Sequence, residues 1–136
     1  SSATYSFANY TAGTAYGAEE EHYLDENMTV FTYECYFTKQ LRLYQDDNGD
    51  GRAVFTSSKA ISSVVINAGY RVADLEVYGS VDGENWVLID TISHPTKDAY
   101  DDYSVQFPAD AQYKYMKLDA VGGQIRIPYI TFNFAG

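Results

Sequence analysis

Two short segments of this chain carry the same alternation of chemistry: Gln40-Leu41-Arg42-Leu43-Tyr44 and Gln124-Ile125-Arg126-Ile127. In an extended strand successive side chains point to opposite faces, so the apolar residues of each segment point one way and Gln and Arg the other. Guanidinium and amide groups are stiff, directional hydrogen-bonding groups. With a flat aromatic face beside them they meet the two demands of sugar recognition, a ring against C–H groups and fixed partners for hydroxyls. Gln40, Arg42, Tyr44, Gln124 and Arg126 are therefore the best ligand-binding constellation, provided that the two strands are neighbours on one sheet face. The alternative is an exposed polar face whose arginines pair with local carboxylates.

A second candidate is Asp46-Asp47-Asn48-Gly49-Asp50-Gly51. Asp46, Asn48, Asp50 and Gly51 match the first half of a calcium loop, with oxygen ligands at alternate positions and Gly for the sharp turn. The twelfth position is Ser57 rather than an acid, which argues against a helix–loop–helix site. A structural Ca²⁺ held by Asp46, Asn48 and Asp50 in a sandwich loop stays open beside the simpler reading, a hairpin loop. The acidic run Glu19-Glu20-Glu21-His22, followed by Asp25-Glu26, reads as a solvated face, with a cation or a basic partner as the alternative. His22 and His94 have no metal-like spacing. Cys35, the one cysteine, alternates with Phe31, Tyr33 and Phe37 and reads as a buried structural thiol on their face.

The elements that must position these groups are strands. Helical periodicity is nearly absent, and short alternating runs are separated by Gly, Asn, Asp and Pro, the pattern of an antiparallel sandwich. Strands are expected near 4–10, 28–36, 40–45, 53–56, 60–68, 74–80, 86–92, 102–107, 114–120 and 124–134. Asp82-Gly83 marks a hairpin, because Gly supplies the positive φ of a tight turn; Gly122-Gly123 is read as another. Residues 11–27 read as a long surface loop or a short helix. No linker or composition break divides the chain, so its 136 residues read as one domain, 1–136, long enough for a core without disulfides.

Composition narrows the partners. The formal charge of −10 argues against nucleic acid and anionic membranes, both of which require a basic footprint. It also disfavours a strongly polyanionic ligand, unless a local basic pocket overrides the mean field. The 14 Tyr and 7 Phe suit pleated surfaces, and Tyr is a rigid, amphipathic contact residue.

The segment from Leu75 to Ile89, Leu-Glu-Val-Tyr-Gly-Ser-Val-Asp-Gly-Glu-Asn-Trp-Val-Leu-Ile, resembles the central hairpin of discoidin-like domains, also called coagulation factor 5/8 type C domains. There a strand ends in Ser-x-Asp-Gly-x-x-Trp and the next begins at the Trp. Tyr113-Lys114-Tyr115-Met116-Lys117-Leu118 is similar to a late strand of the same domains. The resemblance covers roughly the C-terminal half and marks a divergent relative. It implies an all-β, galactose-binding-like jelly roll, an antiparallel β-sandwich. It also implies an extracellular bacterial carbohydrate-binding module, joined to the catalytic domain of a secreted polysaccharide-degrading enzyme. Trp86 is mainly architectural in this element, with a ligand platform as its alternative role.

Catalysis is not expected. Nineteen acids offer many carboxylate pairs for glycoside hydrolysis, but abundance is not a signal. Glu34 and Glu76, in the most apolar surroundings, alternate with core residues and face outward. No nucleophile elbow is present, and an Arg42–Tyr44 lyase pair would need a deeper cleft than a small sandwich offers. A structural or adhesion domain making protein contacts is the alternative to glycan binding.

Overall fold

The computed structural model describes residues 1–8, 19–33, 35–37, 39–43, 45–46 and 49–136, with the side chains at 35–36, 45–46 and 49–50 outside that description. Its strands are β1 (Ser2–Ser6), β2 (Glu19–Asp25), β3 (Met28–Tyr33), β4 (Cys35–Phe37), β5 (Leu41–Leu43), β6 (Gln45–Asp46) and β7 (Gly49–Asp50). There follow β8 (Arg52–Ser57), β9 (Ile61–Tyr70), β10 (Ala73–Ser80), β11 (Val87–His94), β12 (Tyr100–Gln106), β13 (Tyr115–Val121) and β14 (Ile125–Phe134). The first sheet runs β12-β9-β14-β5-β4, with β1 beside β14, and the second runs β11-β10-β13-β8-β3-β2. Every pairing in them is antiparallel. This is the all-β antiparallel sandwich that the alternating runs require.

The inward faces of both sheets meet in one contiguous apolar cluster. Phe132 of the first sheet lies 5.6 Å, ring to ring, from Phe55 of the second, and 5.8 Å from Tyr5 of β1. Tyr5 buries its ring and donates its hydroxyl to Asp25 across the sandwich, at 2.8 Å. Burial, then the bond to Asp25 and its charge, push the Tyr5 hydroxyl well above the usual phenol range.

Three expectations fail, the first two because the chain changes sheets between consecutive strands. The run 28–36 is two strands: β3 belongs to the second sheet and β4 to the first. Hence Phe31 faces outward while Phe37 is buried, and the two do not share a face as alternation suggested; the Cys35 side chain lies outside the described residues. Gly122-Gly123 is not a hairpin, because β13 and β14 lie in different sheets. Gly122, at φ 85°, turns the chain from one layer to the other. Finally, the acidic run is neither loop nor helix but β2, the edge strand of the second sheet. Charges there leave an open strand edge a poor template for another chain. The remainder of 11–27, up to residue 18, lies outside the described residues, as does Glu34.

The Asp82-Gly83 hairpin between β10 and β11 is present, with Gly83 at φ 82°. Ser80 Oγ accepts from the backbone of Asp82 and Gly83, and the Asp82 carboxylate accepts from the backbone of Glu84 and Asn85 and from the Asn85 amide. Those bonds, the backbone ones foremost, hold the Asp82 carboxyl well below the usual carboxylate range. A depressed folded-state pKa stabilises above the unfolded value, and that contribution disappears as pH falls through the folded one. Asp82→Ala is therefore expected to lower Tm at neutral pH, and the gap to wild type to narrow in strong acid. Thermal melts across the acid range check this; a gap that widens toward low pH contradicts it.

Candidate functional site

Each sheet has an outward face, and the two carry different chemistry. On the first sheet, β5 lies directly beside β14, with Arg42 opposite Arg126 and Leu41 and Leu43 opposite Ile127 and Ile125. The four aliphatic residues are fully buried, so both arginines point outward. The condition set for the constellation, that the two strands be neighbours, is met. Pro128 sits in a bulge of β14, where the register against β9 shifts between Arg126 and Tyr129. Pro lacks a ladder donor and suits such a bulge. The shift re-phases the strand, so that Ile130, Phe132 and Phe134 face inward after Ile125 and Ile127.

Arg126 donates from Nε to Gln124 Oε1 at 2.7 Å, and its guanidinium carbon stands 3.4 Å from the centre of the Tyr70 ring. The Gln40 amide donates to the Tyr100 hydroxyl at 3.2 Å on the same face. Alongside, Asp102 accepts from Tyr129 and Asn67. The Tyr129 bond, then the Asn67 bond, lower the Asp102 pKa, and the bond to Asp102, then burial, raise that of Tyr129. Tyr44 lies outside the described residues. Gln40, Arg42, Gln124 and Arg126 do come to one face.

Trp86 does not join them. It precedes β11 and stands half-buried on the outward face of the second sheet, where Lys117 Nζ lies 4.7 Å from its ring and 4.7 Å from the Tyr78 ring. One row of paired residues, Glu21, Phe31, Val54, Lys117, Tyr78 and Leu88, crosses all six strands. The adjoining row holds Tyr33, Arg52, Asp119 and Glu76. Arg52 lies 4.2 Å over the Tyr33 ring, and Tyr78 donates to Glu76 at 3.1 Å. Partial burial, then the Glu76 bond and the charges of Glu76 and Asp119, raise the Tyr78 pKa and keep it a neutral donor. Glu76 thus faces outward as expected, engaged by Tyr78. On the far side of Lys117, the Tyr115 ring packs on Gly83, where an added Cβ would lie 3.1 Å from it.

This face was missed in the sequence because its aromatic residues come from separate runs. The available signal was the outward parity of Phe31 and Tyr33 against the buried Val30 and Thr32, but the assumed continuation into β4 assigned the parity wrongly. A platform of six strands spaced about 4.8 Å apart is about 24 Å wide, enough for several linked sugar rings. Lys117 is positioned by ring faces, and it forms no ion pair among the described residues. Its ammonium brings three N–H donors to this ring-lined position.

The metal candidate is reached only by its backbone. Gln45 and Asp46 pair with Asp50 and Gly49 as a small hairpin, while Asn48 and the side chains of Asp46 and Asp50 lie outside the described residues. Among the described residues no three His, Cys, Asp or Glu gather as a metal site. His22 instead packs edge-on against Phe37, with ring centres 4.9 Å apart. His94 is buried against the Tyr103 hydroxyl at 2.5 Å.

No family model matches the sequence, and no curated protein matches it. Solved structures do. The cleaved adhesin domain K2 of Lys-gingipain superposes with a TM-score of 0.69 at 11% identity, covering 98% of this chain and 100% of that one. A family 29 carbohydrate-binding module from Piromyces equi gives 0.67 at 10% identity, covering 99% and 92%. A family 32 carbohydrate-binding module produced by Clostridium perfringens gives 0.58 at 13% identity, covering 82% and 97%. At such identities the likeness is one of fold, and it agrees with the hairpin read from Ser80 to Trp86. This chain has the antiparallel β-sandwich fold that these structures share.

Proposed function

We propose that this chain is a non-catalytic carbohydrate-binding domain that takes a polysaccharide on the outward face of its second sheet. Extracellular action follows in this reading, with the domain holding a linked polysaccharide-degrading enzyme at its substrate. The observation that carries it is Lys117 clamped between the rings of Tyr78 and Trp86, at 4.7 Å from each, in the middle of a sheet face bearing further aromatic residues. Such a cluster offers apolar ring surface together with oriented donors, with Glu76 and Asp119 beside it as acceptors. Neighbours of the same fold whose names identify them as carbohydrate-binding modules support the reading.

The test is affinity electrophoresis through gels containing neutral plant and host polysaccharides, with and without EDTA. Retardation by one polysaccharide class is the expected result. Loss of retardation in EDTA would bring the proposed Ca²⁺ of Asp46, Asn48 and Asp50 into the site. Free migration through every gel would favour the second reading, a protein-docking or adhesion domain. The apolar side chains of Val81, Val87 and Leu88, each at least half exposed at the β10–β11 hairpin and edge, favour that alternative.

A further inference from the structure

The arginine pair of the first sheet lies on the opposite side of the sandwich from the proposed polysaccharide face, and its surroundings have a chemistry of their own. Like charges directly opposite on neighbouring strands repel, yet Arg42 and Arg126 occupy such a pair. Part of that cost is offset by the Tyr70 ring, whose centre lies 3.4 Å from the Arg126 guanidinium carbon and 4.2 Å from that of Arg71. Arg71 also donates to the Tyr70 hydroxyl at 3.0 Å. Tyr70 itself sits at φ 95°, a conformation that costs a bulky residue energy and persists only where its surroundings impose it.

Next to this stack opens a cavity of about 400 Å³, lined by Tyr70, Arg71, Val72, Lys97 and Gln124 together with the Gly122-Gly123 turn. Gln124 belongs to both features, since it lines the cavity and holds Arg126 Nε. Arg42, Arg71, Lys97 and Arg126 are four of the chain's nine basic residues, gathered at one end of a protein of net charge −10. Arg71 meets Asp98 at 3.9 Å with both side chains well exposed, a pair that solvent screens. With Nε committed to Gln124 and the guanidinium plane set by the ring, the Nη edge of Arg126 is the part left to a ligand. A planar fork of N–H donors matches a carboxylate. Gln40 and Tyr100 supply an amide and a hydroxyl on the same face for neighbouring sugar hydroxyls.

We propose that this end of the first sheet is a second glycan site, which takes a carboxylate-bearing sugar, a uronic acid residue of an acidic polysaccharide. Titration calorimetry with an oligogalacturonide, its carboxyl-reduced counterpart and a sulfated neutral oligosaccharide tests it. The oligogalacturonide is expected to bind, more weakly as ionic strength rises, and the reduced form to bind at least about tenfold more weakly, the scale of a charge-assisted hydrogen bond. Arg126→Gln is expected to weaken the oligogalacturonide by a similar factor, and Arg126→Lys to restore only part of it, since lysine keeps the charge and loses the fork. If Arg126→Gln melts early, Arg42→Gln serves the same purpose.

Equal binding of the carboxyl-reduced oligomer would overturn the proposal, as would a preference for the sulfated one. So would uronate binding that depends on Trp86 and not on the arginines. The two sites fail separately. Retention by neutral polysaccharide without uronate binding removes this site and leaves the first. Arginine-dependent uronate binding without neutral retention does the reverse.

Discussion

Trp86→Ala is expected to end retention of the domain by its neutral polysaccharide while leaving it folded. Aromatic anchors at the centre of a contact surface typically contribute about 2 kcal/mol or more, which is about thirtyfold in Kd. Two roles are lost together in this variant: a ring face for the sugar, and one of the two walls that hold Lys117. Lys117→Ala separates them, because it removes the ammonium and keeps both rings, and a smaller loss of about tenfold is expected for it. Trp86 is half-exposed and precedes β11 rather than standing in the core, so the melting temperature should shift by only a few degrees. Affinity gels and thermal melts on the same preparations check this. Unchanged retention in both variants, with the fold intact, would move the binding site off the second sheet.

Phe132→Ala should cost far more stability than any change at either face, about 3–5 kcal/mol. Its ring is fully buried and contacts three others: Phe55 from the opposite sheet, Tyr5 from β1, and Phe134, stacked in parallel at 6.1 Å. Truncation leaves a void that residues held by ladders on both sides cannot close. A domain of this size has about 5–15 kcal/mol of stability in all. Urea unfolding is expected to show a midpoint moved sharply down with little change in slope. A loss under about 1 kcal/mol would mean that the two sheets are not packed through this residue.

Much of the candidate chemistry was legible in one dimension where it depended on neighbours in sequence. Leu41, Leu43, Ile125 and Ile127 could be assigned to the core, and Arg42 and Arg126 to the surface, because strand parity is a local property. The hairpin from Ser80 to Trp86 was legible for a related reason. Its Ser, Asp and Gly satisfy hydrogen bonds within a few residues of themselves, and such chemistry needs no partner from afar.

What could not be read was which strand follows into which sheet. β3 and β4 look like one alternating run, yet the chain crosses the sandwich between them, and the parity of Phe31 and Tyr33 was misjudged as a result. The acids of β2 hid a strand because an edge accepts charge that a central strand does not. Alternation and turn chemistry thus determined the all-β class, the β10–β11 hairpin and the outward arginines, since each rests on contacts within a few residues. Only the tertiary structure decided that Trp86 and the arginine pair occupy opposite faces, that Lys117 stands between two rings, and that Arg42 meets Arg126. Those are pairings between residues distant in sequence, chosen by burying both sheets' apolar faces at once, and no local pattern encodes that choice.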